Sequence, residues 1–315
     1  LKRFFVIFFF ISAAASAQFN SVSQYPGSFS RIGFSARGIG MGNAMSAVID
    51  GDLEGYYNPA VASFQNDIKI SAGYTFMSLD RSVNYFSFGK KFELGKKRDQ
   101  DGNWTKPKSV AGISAGIINS GVSGIDERDN QGIKTGDLST SENLLFVAVS
   151  NKFSDKFSIG LNIKFYYYKL YKDVSSTGVG FDVGAVYHAS ENLTFAAVIS
   201  DINSKYKWNT NDLYGQLGSI TEDKFPLRKR LAFSYNLRNY GLLLSAEYEI
   251  FDADNNFIRA GAEYRVIDSF LLRAGMDNYN ISNSEIPVNP SFGFSYFYKI
   301  DGYGLTINYA YGFES

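Results

Sequence analysis

The chain has no cysteine, one histidine and six prolines in 315 residues. Without cysteine there are no disulfides, no thiolate metal ligands and no cysteine nucleophile. The single histidine, His188, leaves little from which to build a Ser-His-Asp triad or a multi-histidine zinc site. Positive and negative side chains balance at 31 each, so neither sign is in excess. A neutral chain is not built to hold a polyanion, and no nucleic-acid partner is expected. Beyond the first residues, no stretch approaches the ~18 apolar residues of a membrane helix.

What is abundant points in another direction. Phe (28) and Tyr (22) raise the aromatic share to 17%, and there are 30 glycines. That composition suits many alternating strands joined by short turns rather than a helical enzyme. The start, LKRFFVIFFFISAAASA, has a basic beginning (Lys2, Arg3), an apolar run over 4–11 and small residues ending in Ala15-Ser16-Ala17. This is the pattern of a secretory signal peptide over 1–17, cleaved before Gln18, with an apolar run too short to span a bilayer. No cysteine follows that position, which excludes a lipoprotein anchor. An exported chain with no membrane helix enters a membrane only as a β-barrel.

From residue 67 onward the chain alternates with a period of two. In IKISAGYTF, Ile68, Ile70, Ala72, Tyr74 and Phe76 share one face, while Lys69, Ser71, Gly73 and Thr75 share the other. In FSIGLNIKFYYYK, Phe157, Ile159, Leu161, Ile163, Phe165 and Tyr167 oppose Gly160, Asn162 and Lys164. VGFDVGAVYH and FIRAGAEYRV repeat the pattern, placing Asp182, Arg259 and Glu263 on the polar face. Alternation over 8 to 11 residues predicts transmembrane strands with the apolar face to lipid and the small and polar face to a lumen. The tyrosines at 166–168 read as part of an aromatic girdle near the outer rim.

Thirteen strands are predicted, at about 67–77, 81–93, 108–119, 143–153, 156–169, 178–189, 192–203, 225–236, 240–250, 257–267, 270–277, 289–299 and 303–312. After the third strand, long connections (120–142, 170–177, 204–224, 251–256, 278–288) alternate with turns of two or three residues. Outer-membrane barrels have that asymmetry, with short turns on the periplasmic side. The charged segment 94–107 breaks the pattern, being long on the short-turn side. Because barrels of this kind have even strand numbers, a fourteenth strand is expected to be missing from the sequence. The alternative is a strand hidden in 204–224. The fold class is therefore all-β: a transmembrane antiparallel β-barrel of about 14 strands over 67–315, preceded by a segment at 18–66.

That segment does not alternate. It contains RGIGMGN (37–43), whose Gly-x-Gly-x-Gly spacing resembles a phosphate-cradling loop. A nucleotide loop follows an apolar strand and opens a long helix. Here SFSRIGFSAR precedes it, and no Gly-Lys-Ser/Thr or βαβ pattern follows. A barrel of this width is not filled by its wall side chains, so the segment is expected to fold inside it as a hatch. Gly38, Gly40 and Gly42 let the backbone approach the wall. Asn43 is expected to cap a short helix over AMSAVI, and Asn58, Pro59 and Ala60 to start another.

The pattern SARGIGMGNAMSAVIDGDLEGYYNPAVASF (35–64) resembles the N-terminal signature of the PorV/PorQ family, a FadL-like branch of outer-membrane barrels. Arg37, Gly40, Met41, Gly42, Ala44, Asp50, Asp52, Asn58, Pro59 and Ala60 carry the resemblance. It implies a 14-stranded barrel with an N-terminal hatch, set in outer-membrane lipid. It further implies an accessory role in type IX protein secretion, with secretion-system or exported proteins met at the outer loops. The FadL-like alternative is a passive channel for hydrophobic small molecules. Neither is an enzyme.

Charged residues on the polar face form the remaining candidate site. A ladder Glu249–Arg259–Asp277, with Glu263 facing Arg273, is expected to line the lumen and hold the hatch. Arg37, Asp50, Asp52 and Glu54 are expected to pin or gate the hatch. Asp50-Gly51-Asp52 loosely resembles a calcium loop but lacks the remaining ligands. No metal and no cofactor is expected.

Overall fold

A computed structural model describes residues 25–51, 55–66, 68–96, 105–172, 174–251, 255–282 and 288–313. The expected signal peptide lies outside these residues, as do Asp52, Glu54 and most of the charged segment 94–107. The described chain opens with a 3-10 helix at Ser28–Arg31, a short helix, α1 (Ala36–Gly40), and a second 3-10 helix at Pro59–Phe64. Seven strands follow: β1 (Lys69–Phe76), β2 (Ser82–Leu94), β3 (Ser109–Arg128), β4 (Lys134–Lys152), β5 (Phe157–Tyr171), β6 (Val174–His188) and β7 (Leu193–Ile202). A small pair, β8 (Lys205–Asn209) and β9 (Ile220–Lys224), comes next with helix α2 (Asn211–Tyr214) between them. The last six are β10 (Arg228–Leu237), β11 (Leu242–Ile250), β12 (Asn256–Ile267), β13 (Phe270–Asn280), β14 (Asn289–Ile300) and β15 (Tyr303–Gly312).

Thirteen of these strands form one antiparallel sheet in the order β1 to β7, then β10 to β15. Each joins its sequence neighbour, with β8 and β9 standing aside as a separate hairpin. The sheet curls around the N-terminal segment: α1 packs on β13, β14 and β15, while Pro59–Phe64 packs on β2 through β6. The outer edges of β1 and β15 pair with no strand among the described residues, and both strands run the same way. The expected fourteenth strand has no counterpart among them.

The sheet forms as the period-2 pattern requires. Leu161, Phe165, Val183, Phe195, Ile199, Leu231 and Phe233 are exposed on the outer face, whereas Asn162, Lys164, Asp182, Ser200 and Ser234 are buried on the inner one. A continuous apolar surface of this extent is costly in water and is solvated by acyl chains in a bilayer. The inner face is polar because it meets protein.

Several expectations are corrected. Residues 120–142 are not a loop: β3 and β4 run on through them to a turn at 129–133, giving strands of 20 and 19 residues. These exceed the ~9–11 residues that cross a bilayer, so the hairpin projects beyond the wall. The loop expected at 170–177 shrinks to a tight connection between β5 and β6. The 204–224 segment does hide strands, but as the two-stranded β8–β9 hairpin, so the wall keeps its parity. Of the three tyrosines read as a girdle, only Tyr167 is exposed, at 46%. Tyr166 is buried on the lumen side and donates to Asp201 Oδ1 at 3.0 Å. In a sheet, adjacent residues point to opposite faces, so a run of three cannot all meet lipid.

The orientation of the apolar face has a measurable consequence. Leu161→Arg places a charge on the lipid side and is expected to cost about 2–4 kcal/mol if it lies near the bilayer midplane, against about 0–1 kcal/mol for Tyr167→Arg near the rim. Urea unfolding in lipid vesicles distinguishes the two. Equal costs would contradict the lipid-facing assignment.

Candidate functional site: the filled lumen

The segment 25–66 is built for close approach to the wall. Ser35 caps α1, its Oγ accepting from Gly38 N at 3.1 Å. The chain then turns at Gly42 and Asn43, both left-handed with φ of 57°. The helix therefore lies over ARGIG, not over AMSAVI. Asn43 does not cap that expected second helix because its side chain is engaged elsewhere. Its Nδ2 donates to Asp277 Oδ2 at 2.7 Å and its Oδ1 accepts from Tyr57 OH at 3.0 Å. Asn58 caps the Pro59–Phe64 turn, with Oδ1 accepting from Ala60 N at 3.0 Å and Nδ2 donating to Ser46 O at 2.8 Å.

Met41, fully buried, lies with its carbonyl against Gly261 of β12 and Gly275 of β13, where any side-chain carbon would collide with it. Gly42 sits against the Met276 backbone, and Pro59 and Ala60 against Gly160 of β5. Gly38 abuts the Tyr57 hydroxyl, whereas Gly40 has ordinary room beside Arg273. The wall answers with hydroxyls at the same places. Ser158 Oγ donates to Ala60 O at 3.0 Å, Ser234 Oγ to Ala47 O at 2.8 Å, and Ser245 Oγ to Ala44 O. The segment's backbone carbonyls are thereby paired inside the sheet, as burial demands.

Arg37 makes the strongest single link between segment and wall. Its Nε and Nη2 grip both oxygens of Glu263 at 2.9 and 2.8 Å, and its Nη1 donates to Asp50 O at 2.8 Å. Glu263 also takes Arg273 Nε at 2.6 Å. Asp50 is held through Oδ2 by Asn236 Nδ2 at 2.8 Å. A second network crosses seven adjacent strands. Lys164 bridges Asp182 (2.8 Å) and Asp201 (3.1 Å), and Arg228 links Asp201 (2.9 Å) to Glu249 (3.7 Å). Arg259 joins Glu249 (3.0 Å) to Asp277 (2.6 Å), and Glu247 is shared by Arg230 (3.6 Å) and Arg259 (3.3 Å). All of these side chains are buried.

The structure thus brings together Glu249, Arg259 and Asp277, and separately Glu263, Arg273 and Arg37. The expected register needs one correction. Glu247, not Glu249, lies directly opposite Arg259. Glu249 reaches it diagonally, and an irregularity in pairing between Ile258 and Ala260 turns Arg259 toward Asp277. Lys164, Asp182, Asp201, Arg228, Arg230 and Glu247 escaped the sequence reading as members of the ladder. Their signal was a charge on the inward phase of a strand, which marks a residue that must find a partner. His188 is the last residue of β6, with Nδ1 3.0 Å from Thr194 Oγ1, and takes no part.

Two cavities flank residues 28–33. A polar one of ≈30 Å³ is lined by Arg31, Lys164, Arg228, Arg230, Glu247 and Arg259, among others. Among the described residues, Arg31 Nε and Nη1, Arg230 Nε and Glu247 Oε2 have no hydrogen-bond partner. The volume suits about two waters at ~10–15 Å³ each, and these polar groups would hold them. A larger cavity of ≈120 Å³ lies toward the projecting hairpin, between Phe29, Ile32, Met77, Val122, Arg81 and Glu142. Beside it the β8–β9 hairpin folds in over the lumen face of β6, with Tyr206 and Trp208 packed on Tyr168 at 5.3 and 5.2 Å. Burial and the nearby Glu142 carboxylate push the Tyr206 hydroxyl well above the usual tyrosine range, so it is a donor.

No family model and no curated protein matches the chain. Solved structures do. A deltaS2S3 mutant of TodX, titled a monoaromatic hydrocarbon channel, aligns with a TM-score of 0.56 at 14% identity, over 89% of this chain and 92% of that one. The Pseudomonas putida toluene transporter TodX aligns at 0.52 and 13% identity, over 85% of this chain and 89% of that one. A Pseudomonas aeruginosa FadL homologue aligns at 0.48 and 16%, over 89% of each. At such identities the first two share the fold with this chain.

Two outcomes follow from the packing. Glu263→Gln removes the negative charge that two buried arginines share and is expected to cost about 3–5 kcal/mol in chemical unfolding. A cost under about 1 kcal/mol would mean that the pair is solvated. Gly275→Val drives a side chain into Met41 and Gly42, so trypsin is expected to cut at the otherwise buried Arg37. Unchanged resistance would show that the segment packs elsewhere.

Proposed function

We propose that the protein is a non-enzymatic outer-membrane channel for hydrophobic small molecules, with residues 25–66 as its hatch. The observation that carries this reading is the fold held in common with TodX, a toluene transporter, over 85% of the chain. Physical chemistry supports it. The lumen is packed with a paired polar segment, which does not suit free diffusion of hydrophilic solutes. The larger cavity, by contrast, has four apolar walls: Phe29, Ile32, Met77 and Val122. In this reading the long β3–β4 hairpin and the β8–β9 hairpin mark the outer side, because outer connections are the longer ones. Arg37, Asp50, Asn58, Glu263 and Arg273 hold the hatch, and the Glu249–Arg259–Asp277 ladder lines its seat.

The secretion role implied by the resemblance of 35–64 has no separate support. Met41, Gly42, Pro59 and Ala60 of that motif are accounted for by contact with the wall. Any barrel that seats a hatch this way needs such residues, whatever it serves.

Expression in a host lacking its own hydrocarbon channels tests the proposal. Uptake of radiolabelled toluene or a long-chain fatty acid is expected to rise several-fold, with sugar uptake unchanged. No rise for any hydrophobic compound, together with impaired surface-protein export in a deletion strain, would favour the secretion role instead.

A further inference from the structure

Glu142 differs from the six carboxylates of the lumen networks. Asp182, Asp201, Glu247, Glu249, Glu263 and Asp277 all pair with a lysine or arginine. Among the described residues Glu142 forms no ion pair. Its Oε2 accepts from Tyr206 OH at 3.0 Å, and among the described residues nothing donates to Oε1. The side chain is half-buried and lines the ≈120 Å³ cavity, with Phe29, Ile32, Met77 and Val122 around it. Arg81 also lines the cavity, but its Nε and Nη2 are turned to Ser78 O and Oγ at 3.2 and 3.3 Å. The Tyr206 whose hydroxyl holds Glu142 packs its ring, tilted, against Tyr168 and Trp208, at 5.3 and 5.6 Å between centroids.

A carboxylate partly withdrawn from water with no cation in contact is costly, and a ligand that brings one offsets the cost. The volume sets the size: ≈120 Å³ is somewhat less than the about 150 Å³ of a cavity that accepts benzene, so the apolar part holds no more than one ring or a short chain. We propose that this cavity binds a small organic ammonium ion. Its amine meets Glu142, and a single ring or short alkyl chain lies against Phe29, Ile32, Met77 and Val122. Tyr206 orients the carboxylate by holding Oε2, which leaves Oε1 for the ligand. The inference deepens the channel reading by naming a ligand class at the outer mouth, and rests on that reading only for calling the site an entrance.

Binding to the purified full chain in detergent at pH 7 tests it without requiring transport. Phenethylamine, ethylbenzene and phenylpropionate share a ring and differ in charge. The wild-type protein is expected to bind phenethylamine at least about tenfold more tightly than ethylbenzene, as one hydrogen bond to a charged group allows. Phenylpropionate is expected to bind most weakly. Glu142→Gln should abolish the preference for the amine while leaving ethylbenzene affinity within about twofold, which also reports that the cavity is intact. Glu142→Asp keeps the carboxylate and should retain part of the preference. No amine preference in the wild-type protein, or a full preference in Glu142→Gln, overturns the site. A clear amine preference without hydrocarbon uptake in cells would uphold the site and sink the channel.

Discussion

Glu263 holds two arginines at once, one from the wall and one from the segment inside it. Arg273 at 2.6 Å belongs to the neighbouring strand, while Arg37 at 2.8 Å arrives from 226 residues away in sequence. The buried charges of these networks reach neither bulk water nor lipid. Each must therefore find an opposite charge or a hydrogen-bond partner within the lumen. Four cations in the long ladder face five carboxylates, and Arg31 from the N-terminal segment lines the same cavity and adds the fifth cation. Wall and segment thus form one electrostatic unit, and neither is complete alone.

The same dependence appears in the packing. The N-terminal segment has little regular structure with which to pair its own backbone, so the wall supplies hydroxyls from Ser158, Ser234 and Ser245. It also supplies bare backbone at Gly261 and Gly275, against which Met41 and Gly42 lie. A lumen sealed in this way favours solutes that leave water willingly over those that need a hydrated path. That connects the interior to the hydrophobic cargo proposed here, and it leaves Glu142 as the conspicuous unpaired carboxylate at the mouth.

Much of the wall was legible beforehand. Ile159, Leu161, Phe165 and Tyr167 were assigned outward and Asn162 and Lys164 inward, and all thirteen wall strands have counterparts near their predicted places. Less was visible at the strand ends. Residues 120–142 are polar and glycine-containing, as loops are, yet they pair as a ribbon because β3 and β4 are already in register below them. The helix expected over AMSAVI failed for a related reason. Asn43 can cap a helix locally, but Tyr57 and Asp277 compete for its side chain and prevail.

The sequence alone determined which residues face out and which face in, since a strand's period of two is a property of neighbouring peptide units. It also showed that the inward charges must be paired. Which charge meets which was decided only by the tertiary structure. Arg259 lies opposite Glu247, reaches Glu249 diagonally and turns to Asp277 across a local irregularity, and Arg37 finds Glu263 only once the sheet has curled around it. Such contacts depend on register, curvature and the approach of a distant segment, and no local pattern encodes these.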